Sequence, residues 1–461
     1  MKFFTKRLYK TIGVAIVLVT PMLYPHKKNF EKSGNIPNKQ YNLFTYQAPD
    51  TNSYPAELTM MIIDLKYDDR LPLSEQIKIC ELGDGFTSRY KGFDAIYGIG
   101  EIWSRFWSFL RQFGLPVWFI DLGSSSRFDS FSAIDDFYNI PGSFIHNLSS
   151  LEASQVFRKQ KAKNRGFNYN KLSSYANFVI KKYGPSTSTD TTAFRIKNPN
   201  TLVLSEATRH FTNNKYRTTQ LFQDPSLKLL RPTFGVYKKQ YRSNLAERII
   251  KELKCEIFVI KPINAALGNG IIIVHKDNLD DTLNKILNHA TSLGKDAKDP
   301  AYTYWRRDHN RIFIVEEYAS SKPILVNREP YDATMRIVLS VWNNDNHINL
   351  TFLGAYWKLP IYPLNQPGVS LTDAHKSQVK HGRTSSATVS QEDFSNVIAL
   401  LCKPLTKIYI QMLKERSARR HYIKSEGSIL KNQPALNADY YLDSDATDLF
   451  RKACLEYELE G

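Results

Sequence analysis

The stretch Ile257-Phe258-Val259-Ile260-Lys261-Pro262-Ile263-Asn264-Ala265-Ala266-Leu267-Gly268-Asn269-Gly270-Ile271-Ile272-Ile273-Val274 decides how this chain is read. The apolar run before Lys261 predicts a buried strand that Pro262 breaks, and 271–274 predicts a second strand. A lysine leaving the end of a buried strand projects into a cleft. Gly268 and Gly270, on either side of Asn269, permit positive φ and close backbone approach. Successive N–H groups in such a loop form a concave anion site, and a lysine point charge beside it suits a polyphosphate. Taken alone, the same spacing also describes an ordinary hairpin turn.

Working outward, 312–318 predicts a strand that runs into Glu316, Glu317 and Tyr318. Such a strand end offers backbone groups to an adenine edge and an acid or hydroxyl to a ribose; the plainer reading is solvated acids at a strand terminus. Next comes Asp332-Ala333-Thr334-Met335-Arg336. If a strand starts near Asp332, residues 332, 334 and 336 share one face. Arginine forks onto phosphate or carboxylate oxygens, and aspartate binds magnesium or orients the arginine. A structural ion pair is the alternative. A hairpin of 335–342 and 347–357 brings Lys358 to the end of the following strand, as a second cation in the cleft or as a snorkelling lysine.

On the other side, 211–222 predicts a helix carrying Lys215, 229–233 a short strand, and 244–254 an amphipathic helix. Asp277 is placed to cap the helix after the second strand. Phe394, Val397, Ile398, Leu401, Leu405, Ile408, Tyr409 and Met412 form a helical stripe that Pro404 should kink or divide. Earlier still, a strand at 58–65, a helix at 102–113 stopped by Gly114, and a strand at 116–120 give the rhythm of an α/β layer. The expected organisation is a basic and apolar leader (1–29), an N-terminal α/β domain (30–185), a hydroxyl-rich linker (186–202) and a nucleotide-fold domain with a helical end (203–461).

Composition bounds the function. With 461 residues, 42% hydrophobic and 23% charged, the chain is neither disordered nor a multi-span membrane protein. The four cysteines lie far apart with no CxxC pair, which argues against a structural zinc site. The net charge is +17, and six of those charges fall in the first 28 residues, which contain no acid. Such an excess favours anionic partners. No RNA- or DNA-binding pattern accompanies it, so nucleic acid is not expected. The apolar run at 11–24 reads either as a secretory signal or membrane anchor, giving membrane contact through 1–25, or as a buried element. Both a cytoplasmic and a membrane-associated location stay open.

The ordered set Asn214-Lys215, Arg231-Pro232-Thr233, Lys261, Gly268-Asn269-Gly270, Val315-Glu316-Glu317-Tyr318, then Asp332 and Arg336, resembles the ATP-grasp superfamily, and most closely its tubulin–tyrosine-ligase-like branch. The resemblance spans about 213–389. It implies an ATP-grasp fold with an additional N-terminal α/β domain. It also implies ATP and Mg²⁺ as cofactors and ligation of a carboxylate to an amine through an acyl phosphate. The substrates are undefined, an acidic protein tail being consistent with the charge. By this resemblance Lys215, Lys261, Gly268, Asn269 and Gly270 hold the phosphates and Glu316, Glu317 and Tyr318 the adenosine. Asp332 holds the metal, and Arg336 and Lys358 are catalytic. One departure stands out: ATP-grasp enzymes carry a late acid and a Glu-x-Asn, and no Glu-x-Asn follows Lys358. A nucleotide- or partner-binding module without ligase activity is the alternative.

Overall fold

The computed structural model describes residues 43–49, 54–86, 90–121, 145–149, 170–182, 200–288, 300–377 and 379–427, apart from 55, 116, 213, 266–267, 381–382 and 385. The leader (1–29) and most of the expected linker lie outside these residues. Among the described residues no helix is long and apolar enough to cross a membrane.

The chain starts with β1 (Phe44–Pro49), β2 (Glu57–Tyr67) and β3 (Ile77–Asp84), then α1 (Lys91–Tyr97) and α2 (Glu101–Arg111). Strands β4 (Val117–Asp121), β5 (Ile145–Ser149), β6 (Asn177–Lys182) and β7 (Thr201–Val203) follow. They form a parallel sheet in the order β5-β4-β6-β7. Two short helices, α3 (Glu206–Thr212) and α4 (Lys215–Gln220), replace the single helix expected over 211–222. The break falls where the Asn214 side chain accepts a hydrogen bond from the Arg217 N–H at 3.2 Å and caps α4.

The small sheet comes next. It contains β8 (Phe234–Lys238), β9 (Ile257–Pro262), β10 (Ile272–His275) and β11 (Ile312–Glu317), antiparallel in the order β10-β9-β11-β8. Helices α5 (Leu245–Leu253), α6 (Leu279–Leu287) and α7 (Pro300–Trp305) pack on one face through Ile249, Leu283, Trp305 and the strand residues Phe258, Ile260 and Phe313. Two local expectations are corrected here. Residues 228–230 form a 3₁₀ turn and the strand starts only at Phe234, because Pro232 has no N–H for a ladder and the Arg231 side chain is drawn inward. Asn278, not Asp277, occupies the cap position of α6; Asp277 sits in a 3₁₀ turn that His275 caps.

The hairpin β12 (Ile324–Val326) and β13 (Glu329–Tyr331) leads into β14 (Thr334–Asn344) and β15 (His347–Lys358). After α8 (Leu371–His375) come β16 (Val379–Lys380), β17 (Arg383–Thr384), β18 (Ser386–Thr388) and α9 (Gln391–Gly427). The large sheet has the order β1-β15-β14-β2-β3, with β18 also on β15. It therefore joins strands from both sides of the expected linker: β2 pairs with β14 from Glu57↔Asn343 to Leu65↔Met335.

Strand alternation gives this sheet two faces. Met61, Ile63, Leu65, Met335, Ile337 and Trp357 meet the α9 stripe of Val397, Leu401, Leu405, Ile408 and Met412. Helix α9 runs unbroken through Pro404, correcting the expected division; one lost backbone bond is small beside that continuous buried stripe. Leu405→Ala should cost about 2–5 kcal/mol, read as a lower midpoint in chemical denaturation. On the opposite face Leu58, Met60, Ile62, Val338 and Tyr356 pack under Phe93, Trp103, Phe106 and Leu110 of α1 and α2. Beyond Ile62 the same face turns polar and continues as Asp64 and Lys66.

Candidate active site

The polar end of the large sheet is built by register. Asp64 lies directly across from Arg336, and Arg336 across from Tyr356. Arg336 donates from Nε and Nη2 to the two Asp64 carboxylate oxygens, both at 2.7 Å, and Lys358 Nζ donates to Oδ2 at 2.8 Å. Burial pushes the Asp64 carboxyl up, but the Arg336 and Lys358 charges outweigh it and hold the group well below the usual carboxylate range. Burial and the neighbouring Arg336 charge together push the Lys358 ammonium down, against the pull of Asp64. On the other side of β2, Glu81 of β3 is the cross-strand partner of Asp64. Lys215 Nζ approaches Glu81 Oε1 at 3.4 Å and also donates to the Ala265 carbonyl. The first residue of α4 thus joins the large sheet to the loop that follows β9.

The small sheet contributes from its face away from the helices. Ile314 is the cross-strand partner of Lys261, which puts Lys261 and Glu316 on that face. Glu316 is buried with a cation on each oxygen: Lys261 on Oε2 and Arg231 on Oε1. Burial raises the Glu316 carboxyl, but the two cations more than offset this and leave it below its ordinary value. Cys80 of β3 lies near Lys261, Lys66, Glu316 and Arg231. Burial pushes its thiol up, while the charges of Lys261 and Lys66 act in the opposite sense.

Asp332 ties the sheets together. Its Oδ1 accepts from the Ser321 N–H at 2.8 Å. Its Oδ2 receives the Tyr318 hydroxyl and lies 2.9 Å from both Lys66 Nζ and His375 Nδ1. Lys66 also donates to the carbonyls of Asp332 and Ala333. Asp332 precedes β14, whose first residue is Thr334, so it does not share the Arg336 face by strand alternation. Expected as a metal ligand, Asp332 has both oxygens engaged by neighbouring groups, as Asp64 does.

The glycine loop is braced from α8. Gly268 and Gly270 have φ of 72° and 69°. A Cβ on Gly270 would sit 2.6 Å from Pro262 and 2.7 Å from Tyr304, so only glycine makes this turn without displacing a neighbour. The Ile273 N–H donates to Thr372 Oγ1 at 3.0 Å, the hydroxyl returns to the Ile273 carbonyl, and Lys376 Nζ reaches the Ile271 carbonyl at 3.2 Å. Thr372 lies in α8 and Lys376 directly after it.

The strand end expected to hold adenosine makes internal hydrogen bonds. Glu317 N–H donates to the Thr233 carbonyl at 2.8 Å, and Tyr318 N–H to Ile257 at 2.9 Å. The Glu317 carboxylate accepts from the Thr233 N–H, Glu316 holds the two cations, and Tyr318 reaches Asp332. These side chains brace the strand end internally. Asn269 completes the glycine turn. Lys261, Lys215, Arg336 and Lys358 are brought to the junction of the two sheets, together with Asp64 and Lys66, which the sequence reading did not select, and Glu81 and Arg231, to which it gave no role in the site. A signal for the first two existed: Asp64 and Lys66 follow the apolar run 60–63 at a spacing of two.

No protein-family model matches this chain, and no curated protein sequence does. Several solved structures align at low similarity. One is a Methylobacillus flagellatus protein described as a gamma-glutamylcysteine synthetase, at 10% identity and TM-score 0.41, covering 79% of this chain and 91% of that one. Another is the D-alanyl-alanine synthetase A of Vibrio cholerae, at 9% identity and TM-score 0.35, covering 65% and 81%. A third is a glutathione synthetase-like effector of Globodera pallida, at 9% identity and TM-score 0.35, covering 67% and 74%. Likenesses of this strength assign no function to the chain.

Proposed function

We propose that the junction of the two sheets binds Mg·ATP and that the chain is an ATP-dependent carboxylate–amine ligase of the ATP-grasp kind. The observation that carries this is the convergence of Lys215, Arg231 and Lys261 with Lys66, Arg336 and Lys358 around Asp64, Glu81, Glu316 and Asp332. The cations outnumber the acids where two sheets meet, which suits a polyphosphate. The cross-strand pair Asp64 and Glu81 fits Mg²⁺, which is held by one or two carboxylates plus phosphate oxygens. Bound there, Mg²⁺ would neutralise phosphate charge. The acids that the resemblance places late in the chain are, on this reading, supplied by β2 and β3 near its beginning.

In this scheme Lys261 and Lys215 bind the phosphates and the Gly268–Gly270 turn lies over them. Arg336, released in part from Asp64, stabilises the phosphoryl group as a substrate carboxylate oxygen attacks phosphorus and ADP departs. Lys358 holds the acyl phosphate for attack by an amine, which loses a proton as phosphate leaves. The amine donor and the carboxylate are those of a small molecule or of an acidic protein tail, the latter favoured by the net charge of +17. A nucleotide-binding module without ligation is the second reading, because Asp64 is already saturated by Arg336 and Lys358.

Calorimetry of the full chain with Mg·ATP tests the first step. Binding is expected, and its absence from the folded chain overturns the nucleotide reading. Glu81→Gln should raise the magnesium concentration needed for half-maximal binding by about tenfold while leaving metal-free ATP binding little changed, since one carboxylate donor is lost. ADP release that depends on both a carboxylate and an amine separates the ligase from the binding module.

A further inference from the structure

Arg231 is buried, with 2% of its side chain exposed, between the rings of Phe222 and Phe234, each 5.4 Å from the guanidinium carbon. It holds Glu316 with a single nitrogen, Nη2 at 2.5 Å. Its Nε and Nη1 are buried and have no hydrogen-bond partner among the described residues. Glu316, 1% exposed, is shared with Lys261 on its other oxygen. One acid thus serves two cations, and one of those cations keeps part of its fork in reserve. A buried donor left unpaired carries a cost that a fold ordinarily avoids. Here the arrangement leaves Glu316 a substitute partner.

We infer that Arg231 is a positioning residue that frees Lys261 for the nucleotide: when Lys261 leaves Glu316 for a phosphate oxygen, Arg231 takes both carboxylate oxygens. This rests on the nucleotide reading above and gives Arg231 a part in it separate from contact with phosphate. Moving Lys261 away would otherwise strand a buried carboxylate, which is strongly unfavourable. The reserve nitrogens let Arg231 pass from one hydrogen bond to the planar two-bond pairing that guanidinium and carboxylate favour. The exchange moves no proton and changes no covalent bond. The small sheet therefore holds Lys261 in place before nucleotide arrives and releases it without a net loss of ion pairing.

The test is Mg·ATP affinity in the full-length chain. Arg231→Gln leaves the Lys261–Glu316 pair intact and neutral, so the folded state is retained while Glu316 holds Lys261 alone. Affinity should fall about tenfold or more, the worth of a charged hydrogen bond. Adding Glu316→Gln in that background removes the competing carboxylate and should restore affinity to within about threefold of the parent. A role in packing alone would not be rescued by the second change. Arg231→Met, which refills the space between the two rings, replaces Arg231→Gln in both arms if the glutamine variant does not fold. Unchanged affinity in the single variant overturns the inference, as does a loss that Glu316→Gln does not reverse. A wild-type chain that binds no Mg·ATP overturns the nucleotide reading and this inference together.

Discussion

Asp64→Ala should destabilise the protein by about 3–5 kcal/mol, the cost of removing one partner from a buried ion pair. Arg336 and Lys358 both end on this carboxylate, and the side chain is 4% exposed. Their charges would remain at the sheet junction with no acid directly across the strand. The sign with pH follows from the depressed carboxyl. A group whose folded pKa lies below its unfolded value stabilises the fold above the unfolded value, about 3.9, and loses that contribution as pH falls toward the folded one. The gap between wild type and variant in urea denaturation should therefore be full at pH 7 and should shrink below about pH 4. A gap that is constant down to pH 3, or absent at pH 7, rejects the assigned role.

The second large effect concerns ligand rather than fold. Lys261→Ala should abolish measurable Mg·ATP binding, a loss of about a hundredfold or more if the ammonium meets phosphate oxygens in a water-poor cleft. The protein should stay folded, because Arg231 remains on Glu316 and can take its second oxygen. Calorimetry paired with a thermal melt reads both quantities. Retained binding would remove Lys261 from the phosphate site, and a collapsed melt would show that its chief role is structural.

Much of the small sheet was legible in the sequence. The strands on either side of the Lys261 loop and the helix after Asn244 announced themselves by apolar runs, a proline and periodicity, all of them local signals. The Gly268 and Gly270 turn followed from the same logic, since its positive φ values are what paired glycines allow. What failed to show was nonlocal. Asp64 meets Arg336 across 272 positions, and no pattern near either residue names the other. Nothing near Lys358 in the sequence points to Asp64 or Glu81, because strand order in a sheet is free of sequence order. The expected shared face of Asp332 and Arg336 failed for a related reason. An acid four residues before an arginine looks like one face of a strand, yet the strand starts two residues after Asp332, whose oxygens are filled by Lys66, Tyr318, His375 and Ser321.

The position of β2 and β3 beside β14 also sets the timetable of biogenesis. Strand β2 is buried along its whole length of 11 residues, yet its partner β14 is made some 270 positions later. At about 5–20 residues per second, an apolar strand waits roughly 15–55 s on the ribosome with an open edge before it can be covered. Such an edge is a template for pairing with other chains. Folding of the central sheet is thus a late event that follows release of most of the polypeptide. A truncated chain that ends before Thr334 leaves β2 without this neighbour and is prone to aggregate.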